Sequence, residues 1–262
     1  MLKNKTAIIT GANRGIGFAT VKIFAENHAN IYACAREKNQ AFENTLLELS
    51  KEYNVSIQPL YFDVTDYDQA KKIIREHSKA SGKIDILVNN AGISVETLFS
   101  MTSLRKVEET MKVNYLAQVN LSQIVSRYMM HNKSGSIINV ASVAGIEAEQ
   151  GGLAYGSSKA AIIFATRTMA LELGKYGVRA NSVSPGFIDT DMWNNRNDEV
   201  RKKILSETPL GRQGEPEEVA KTILFLASDM SSYITGQNII VDGGREICGG
   251  VMLSGITFFE DK

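Results

Sequence analysis

The sequence predicts a doubly wound α/β protein of one domain, with a seven-stranded parallel sheet covered by helices on both faces. Three observations carry this reading. Short apolar runs bounded by turn residues alternate with longer stretches of helical period along the chain. No proline-rich linker, repeat or low-complexity segment divides it. With 262 residues and 44% hydrophobic content, there is enough apolar material for one large core. Strands separated by helices need crossover connections, which make the strands parallel and place helices on both faces.

The first strand is expected over 6–10, the run Thr6-Ala7-Ile8-Ile9-Thr10, and the first helix over 16–27. Between them stands Gly11-Ala12-Asn13-Arg14-Gly15-Ile16-Gly17. Glycines here permit a tight turn and close backbone approach, while the free N–H groups and the positive end of the helix dipole face an anion. With its T-G-x-x-x-G-x-G spacing, the segment reads as the pyrophosphate cradle of a dinucleotide. Further strands are expected over 30–34, 56–62, 84–88, 135–140, 178–184 and 238–241, and helices over 39–53, 66–80, 103–131, 154–174 and 215–228.

The segment 185–214 breaks the alternation, with Pro185, Gly186, Pro209, Gly211 and Gly214 around a polar stretch from Asn194 to Lys203. Ligands of doubly wound sheets bind beyond the carboxyl ends of the strands, so this segment is read as a substrate lid, with Trp193 a wall or a packing anchor. The domain is expected to span 1–244. The tail, 245–262, holds an apolar run from Gly249 to Phe259 and is expected to dock on the domain or on a neighbouring subunit.

Composition narrows the partners. The 29 basic and 29 acidic residues are spread along the chain, so nucleic acid is not an expected partner, and a small molecule is. Cys34 and Cys248 suggest neither a disulfide framework nor a metal cluster. No charged-then-apolar leader precedes the first strand and no apolar run approaches membrane-spanning length, so a soluble, cytoplasmic protein is expected. His28, His77 and His131 are read as surface residues.

The candidate chemistry lies in Tyr155-Gly-Ser-Ser-Lys159. On a helix, positions i and i+4 share a face, so phenol and ammonium can address one bound molecule. Tyr67-Asp-Gln-Ala-Lys71 repeats the spacing and is read as a solvated helix start. The difference lies in context, since Tyr155 follows the run Ile137-Ile-Asn-Val-Ala-Ser142 by a short loop, bringing a serine hydroxyl to the same sheet edge. A free phenol with a pKa near 10 exchanges protons poorly at neutrality. Lys159 is expected to lower that value, letting Tyr155 protonate a developing alkoxide while Ser142 hydrogen-bonds the carbonyl oxygen and a dinucleotide supplies hydride.

Taken together, the glycine loop at 10–17, Asp63-Val64, Asn89-Asn90-Ala91-Gly92, Asn114, Ser142, Tyr155, Lys159, Pro185-Gly186 and Thr190 resemble the short-chain dehydrogenase/reductases in order and spacing. The resemblance runs from Thr6 to about Gly244. It implies a Rossmann sheet of order 3-2-1-4-5-6-7 and a catalytic tetrad of Asn114, Ser142, Tyr155 and Lys159, with Asn114 holding a water of a proton relay. It implies cofactor contacts from Gly11, Asn13, Arg14, Gly15, Ile16 and Gly17. Asp63 and Val64 would contact adenine, Asn89, Ala91 and Gly92 would line the groove, and Pro185, Gly186, Ile188 and Thr190 would stand near the carboxamide. Tyr155 and Lys159 would reach the nicotinamide ribose. The same resemblance implies pairing of the 103–131 and 154–174 helices into a homodimer or a homotetramer. On the first, Val119, Leu121, Ile124, Val125, Tyr128, Met129 and Met130 are more apolar residues than one buried face needs.

Cofactor choice is read from the end of the second strand. A carboxylate there would accept bonds from the ribose hydroxyls and repel a 2′-phosphate. Ala35 and Arg36 occupy the place, and Arg36 with Arg14 could clamp a phosphate, so NADP(H) is expected, with Glu37 arguing for the unphosphorylated form. Segments 185–192, 208–212 and 233–244 resemble 3-oxoacyl-acyl-carrier-protein reductases, implying a 3-oxoacyl thioester substrate and acyl carrier protein as a partner. Ser94-Val-Glu96 and the tail depart from that pattern, and Lys133 and Lys175 only approximate its basic positions. A reductase or dehydrogenase of another small carbonyl or alcohol, such as a sugar or a quinone, is the alternative, and behind it a non-catalytic dinucleotide-binding protein.

Overall fold

The computed structural model describes residues 1–190 and 198–248. Its sheet holds β1 (Thr6–Thr10), β2 (Asn30–Ala35), β3 (Ile57–Tyr61), β4 (Ile86–Asn89), β5 (Gly135–Val140), β6 (Val178–Pro185) and β7 (Asn238–Val241). Their order is β3-β2-β1-β4-β5-β6-β7, and every pairing is parallel. The helices are α1 (Gly15–Glu26), α2 (Gln40–Tyr53), α3 (Tyr67–Ser81), α4 (Leu104–Met111), α5 (Ala117–Asn132), α6 (Leu153–Leu173), α7 (Asp198–Ser206) and α8 (Pro216–Ala227).

Alternation along a strand sends consecutive side chains to opposite faces. Ile9 therefore joins a core with Phe24 of α1, Leu46 of α2 and Ile223 of α8, and Ile8 joins a second core with Ile74 of α3 and Leu121 and Met129 of α5. Both faces of β1 are apolar because both are covered, which is why its sequence shows no polar alternation. The helices begin where capping chemistry permits. Asn39 Oδ1 accepts from Phe42 N at 3.1 Å to start α2, and Asp66 Oδ1 accepts from Gln69 N at 3.0 Å to start α3.

Several elements shift by one or two residues at their ends from the sequence-based expectation, and three differences bear on the cleft. The helix expected over 103–131 is interrupted by a π turn, Lys112–Leu116, which separates α4 from α5 and carries Asn114. The lid region expected as irregular contains α7, whose acidic first turn and terminal Lys203 suit the helix dipole, and whose buried residue is Ile204. Strand β2 runs one residue further than expected, ending on Ala35. Trp193 and the apolar run 249–259 lie outside the described residues.

Candidate active site

The first βα turn closes on itself before any ligand is considered. Gly11 has φ +63°, and a Cβ there would approach Asn90 Nδ2 at 2.9 Å and Ala91 Cα at 3.0 Å. A Cβ on Gly17 would collide with the Gly11 carbonyl oxygen. Asn90 holds the turn from the neighbouring strand end, its Nδ2 donating to Thr10 O at 3.0 Å and Gly11 O at 3.1 Å. Thr10 Oγ1 accepts from both Asn90 N and Ala91 N, at 2.9 and 3.0 Å. These bonds fix the separation of the β1 and β4 ends, where strand order reverses and a crevice must open.

That crevice is a cleft of about 1020 Å³ lined at one end by Asn13, Arg14, Gly15, Ile16, Arg36, Asp63 and Val64, and at the other by Ser142, Tyr155, Lys159, Gly186, Ile188 and Thr190. Gly11, Ala91, Gly92 and Pro185 complete its floor. The glycine loop faces it with its N–H-rich backbone, and a Cβ on Gly15 would stand 3.2 Å from Thr190 Cγ2. This cradle, narrow and lined by glycine, fits the pyrophosphate of a dinucleotide.

Asn89 corrects the expectation for the Asn-Asn pair. It is fully buried, and its Nδ2 donates to Ser122 Oγ at 2.9 Å and Asn139 Oδ1 at 2.8 Å, tying β4 to α5 and β5 on the side away from the cleft. Its neighbour Asn90, which the sequence reading did not place in the site, faces the cleft. Gly17 is likewise a packing position of the turn and not part of the cleft wall. His77 is half-buried and edge-on to Tyr32 at 5.2 Å, unlike the surface position expected.

At the other end, α6 carries Tyr155 and Lys159 on one face. Lys159 is 3% exposed, and its Nζ donates to Val140 O at 2.8 Å, the last residue of β5. Burial pulls its pKa down to about 8. Ser142 stands two residues past that carbonyl, with its Oγ accepting from Ala144 N at 3.2 Å, and lines the cleft with Tyr155. Burial raises the Tyr155 pKa, the Ser142 hydroxyl lowers it and the Glu149 charge raises it. In the protein without ligand, desolvation of the phenol therefore outweighs the lowering expected from Lys159, whose ammonium lies 5.7 Å from the ring centroid.

Asn114 stands behind this group, where the π turn aims it inward. Its Oδ1 accepts from Ile93 N at 2.8 Å, and its Nδ2 donates to Ile93 O at 2.9 Å and Ser158 Oγ at 3.0 Å. A Cβ on Gly92 would meet Asn114 Oδ1 at 3.2 Å and Lys159 Nζ at 3.5 Å, so the asparagine and lysine flank one glycine. Asp63 Oδ1 accepts from Thr65 N at 2.8 Å and Thr65 Oγ1 at 2.7 Å, which lowers its pKa.

Residues 11–246 match the family described as enoyl-(acyl carrier protein) reductase. The 3-oxoacyl-[acyl-carrier-protein] reductase FabG of Thermotoga maritima is 42% identical over 94% of this chain and 99% of its own. The 3alpha-hydroxysteroid dehydrogenase of Mediterraneibacter gnavus is 39% identical over 93% and 97%. A solved short-chain type dehydrogenase/reductase from Mycobacterium ulcerans superposes with a TM-score of 0.89 at 27% identity, covering 94% of this chain and 91% of that one. The chain belongs to the short-chain dehydrogenase/reductase family. Short-chain dehydrogenase/reductases are oxidoreductases of C=O and CH–OH groups that use a nicotinamide dinucleotide, and the glycine cradle and the Ser142–Tyr155–Lys159 group occupy opposite ends of one cleft as that chemistry requires. A 7 alpha-hydroxysteroid dehydrogenase, solved with NADH and 7-oxo glycochenodeoxycholic acid, has the same fold, with a TM-score of 0.87 at 32% identity.

Proposed function

We propose that the protein is an NADP(H)-dependent reductase of 3-oxoacyl thioesters, with Tyr155 as proton donor. The observation that carries the reading is the gathering of Ser142, Tyr155 and Lys159 in one cleft, with the Lys159 Nζ pinned to the Val140 carbonyl. When bound, NADPH supplies the hydride. Tyr155 gives its proton to the carbonyl oxygen, Ser142 hydrogen-bonds that oxygen as charge grows on it, and the Lys159 ammonium favours the phenolate left behind. Asn114, held by Ile93 and Ser158, orients the segment between the cofactor and the lysine. Gly11, Asn13, Arg14, Gly15 and Ile16 hold the pyrophosphate, Asp63 and Val64 the adenine, and Pro185, Gly186, Ile188 and Thr190 the carboxamide end.

The phosphorylated cofactor is supported by the β2 terminus. Ala35 stands where a ribose-binding carboxylate would be, and Arg36 follows it on the cleft rim. Glu37, the residue arguing for NAD(H), pairs with Arg36 at 3.4 Å, and both side chains are largely exposed and able to separate. A 2′-phosphate outcompetes a carboxylate for a guanidinium through charge and bidentate geometry. The thioester is supported by the identity to FabG proteins of several organisms. The sequence likeness to a hydroxysteroid dehydrogenase supports a second reading, reduction of a ketosteroid.

Acyl carrier protein as carrier of the substrate, a cytoplasmic location and a homodimer or homotetramer complete the proposal. Leu121, Val125 and Met129, expected to contribute to pairing, instead fill the protein's own core, while α6 carries open apolar surface, with Phe164 70% and Leu171 83% exposed. Light scattering at micromolar concentration should give a dimer or tetramer, and a monomer would count against it. Acetoacetyl-CoA is expected to drive NADPH oxidation faster than a keto sugar, a quinone or a ketosteroid. Turnover of the steroid alone would move the assignment to the second reading.

A further inference from the structure

Arg245, two residues past the Asp242-Gly243 turn that ends β7, joins three parts of the substrate end of the cleft. Its Nη1 lies 3.4 Å from Glu149 Oε1 and 3.9 Å from Glu147 Oε2. Its guanidinium carbon lies 4.5 Å from the centroid of Phe187, and its side chain is 16% exposed. The backbone beneath it is fixed by Asp242, whose Oδ1 accepts from Gly244 N at 2.8 Å and whose Oδ2 accepts from Glu246 N at 2.6 Å.

The partners of Arg245 are not peripheral. Phe187 follows Pro185-Gly186 at the β6 exit and lines the cleft. Glu149 also lines it, from the 146–152 loop that joins Ser142 to the helix of Tyr155. The loop is tied on its far side to the 93–102 segment, with Thr97 N donating to Gly151 O at 3.1 Å. The groups facing the phenol are the Lys159 ammonium, the Ser142 hydroxyl and the Glu149 carboxylate. Those around Glu147 and Glu149 are Arg245, Glu246 and Asp242, so Arg245 brings positive charge to a site that otherwise gathers carboxylates.

We propose that Arg245 is a positioning residue of the carbonyl-reducing site: it clamps Phe187 and the 146–152 loop as the two walls of the substrate end and neutralises Glu149 beside Tyr155. A stacked, doubly paired guanidinium fixes both walls through one side chain, which a lysine cannot reproduce because it lacks the planar face that stacks on Phe187. Without it, Glu149 stands unpaired near the phenol and opposes formation of phenolate. The proposal rests on Tyr155 as proton donor, and its test is separable from the substrate assignment.

Arg245→Met, Arg245→Lys, Glu149→Gln and the Met/Gln double variant are prepared as full-length protein with oxidised cofactor bound. Ionisation of Tyr155 is read from the ultraviolet tyrosinate difference between each variant and its Tyr155→Phe counterpart, which needs no substrate. Arg245→Met should move the midpoint up by about half a pH unit or more, since an unpaired carboxylate now faces the phenol. Glu149→Gln should move it down, and in the Glu149→Gln background Arg245→Met should have no effect. Arg245→Lys should restore the wild-type midpoint while leaving KM raised several-fold for whichever carbonyl compound is turned over, because charge is returned without stacking. An unmoved midpoint in Arg245→Met, or a shift that survives in the double variant, overturns the proposal. If Arg245→Met does not fold, the downward shift in Glu149→Gln and the KM of Arg245→Lys decide it. Failure of Tyr155→Phe to lose activity would instead remove the proton-donor reading.

Discussion

Two helices of this protein carry Tyr-x-x-x-Lys near their start, and only the pair on α6 lines the cleft. On α3, Lys71 is exposed to solvent and Tyr67 is half-buried with no hydrogen-bond partner for its hydroxyl among the described residues. On α6, Lys159 is buried against the Val140 carbonyl and Tyr155 lines the cleft together with Ser142. Helical spacing puts phenol and ammonium on one face in both cases. What differs is what that face meets. The α6 pair packs beyond the end of β5, where the Val140 carbonyl and the Ser142 side chain stand, while on α3 the tyrosine is half-buried and the lysine lies in solvent. Reactivity follows from desolvation and anchoring, not from the pair itself.

The largest expected effect tests the active member. Tyr155→Phe removes the transferable proton and little else, and should lower kcat by about 10²–10⁴-fold, the range for losing a general acid. Affinity for NADPH, measured by fluorescence titration, should stay close to wild type. Lys159→Ala should damage both turnover and binding. Retention of more than about a tenth of wild-type activity by the phenylalanine variant would dissolve the contrast between the two helices.

Next in size is the cost of burying Lys159. Its folded pKa of about 8 lies below the value of 10.5 for a free lysine. Between those values the unfolded chain binds more protons than the folded one, so stability rises as pH increases through that window. Below pH 8 the penalty is fully present, about 3 kcal/mol for a shift of this size. Tyr155 acts with the opposite sign, because its raised pKa makes the folded state the better proton binder, but only above pH 10. Cofactor-free protein should therefore gain Tm between pH 8 and 10 relative to Lys159→Met. Equal pH slopes for the unaltered protein and Lys159→Met would count against the desolvation argument.

A smaller effect is expected at the cofactor rim, where the charged groups are exposed as Lys71 is. Ala35→Asp with Arg36→Ile should turn the ratio of kcat/KM for NADPH over NADH from above one to below one. Each charge-assisted bond contributes about 1.5–3 kcal/mol when sheltered, and less where solvent screens it as it does around Arg36. Equal efficiency of the unaltered protein with both cofactors would show that Glu37 cancels Arg36.

The parts legible in the sequence are those set by short-range rules. Ile8-Ile9, apolar on both faces, announces a buried parallel strand, and Gly11 to Gly17 announces a turn with positive φ and close approach. The i, i+4 spacing of Tyr155 and Lys159 needs nothing beyond one helix. What was not legible depends on a single-residue register or on distant pairing. Asn89 and Asn90 differ by one position at a strand end, and that position sends one into the core and the other into the cleft. The π turn at Lys112–Leu116 has no compositional mark, since its residues suit an α-helix equally well. Helix α7 buries Ile204 but leaves Val200 exposed among charged residues, so its period carries little apolar contrast. Arg245 meets Glu149 across 96 residues, a contact that no local pattern encodes.

The smallest effect belongs to the silent pair, and it is the most direct test of the comparison. The Tyr67 hydroxyl is buried without a partner among the described residues, so deleting it removes an unsatisfied polar group and leaves the ring in place. An unpaired buried hydroxyl costs about 1–3 kcal/mol, part of which the variant should recover. Tyr67→Phe is therefore expected to keep wild-type kcat and KM and to raise Tm slightly, by calorimetry. The identical substitution, tyrosine to phenylalanine four residues before a lysine, would then abolish turnover on α6 and stabilise the protein on α3. A fall in activity for Tyr67→Phe would mean that the α3 pair communicates with the cleft, and the separation of the two helices by environment alone would not stand.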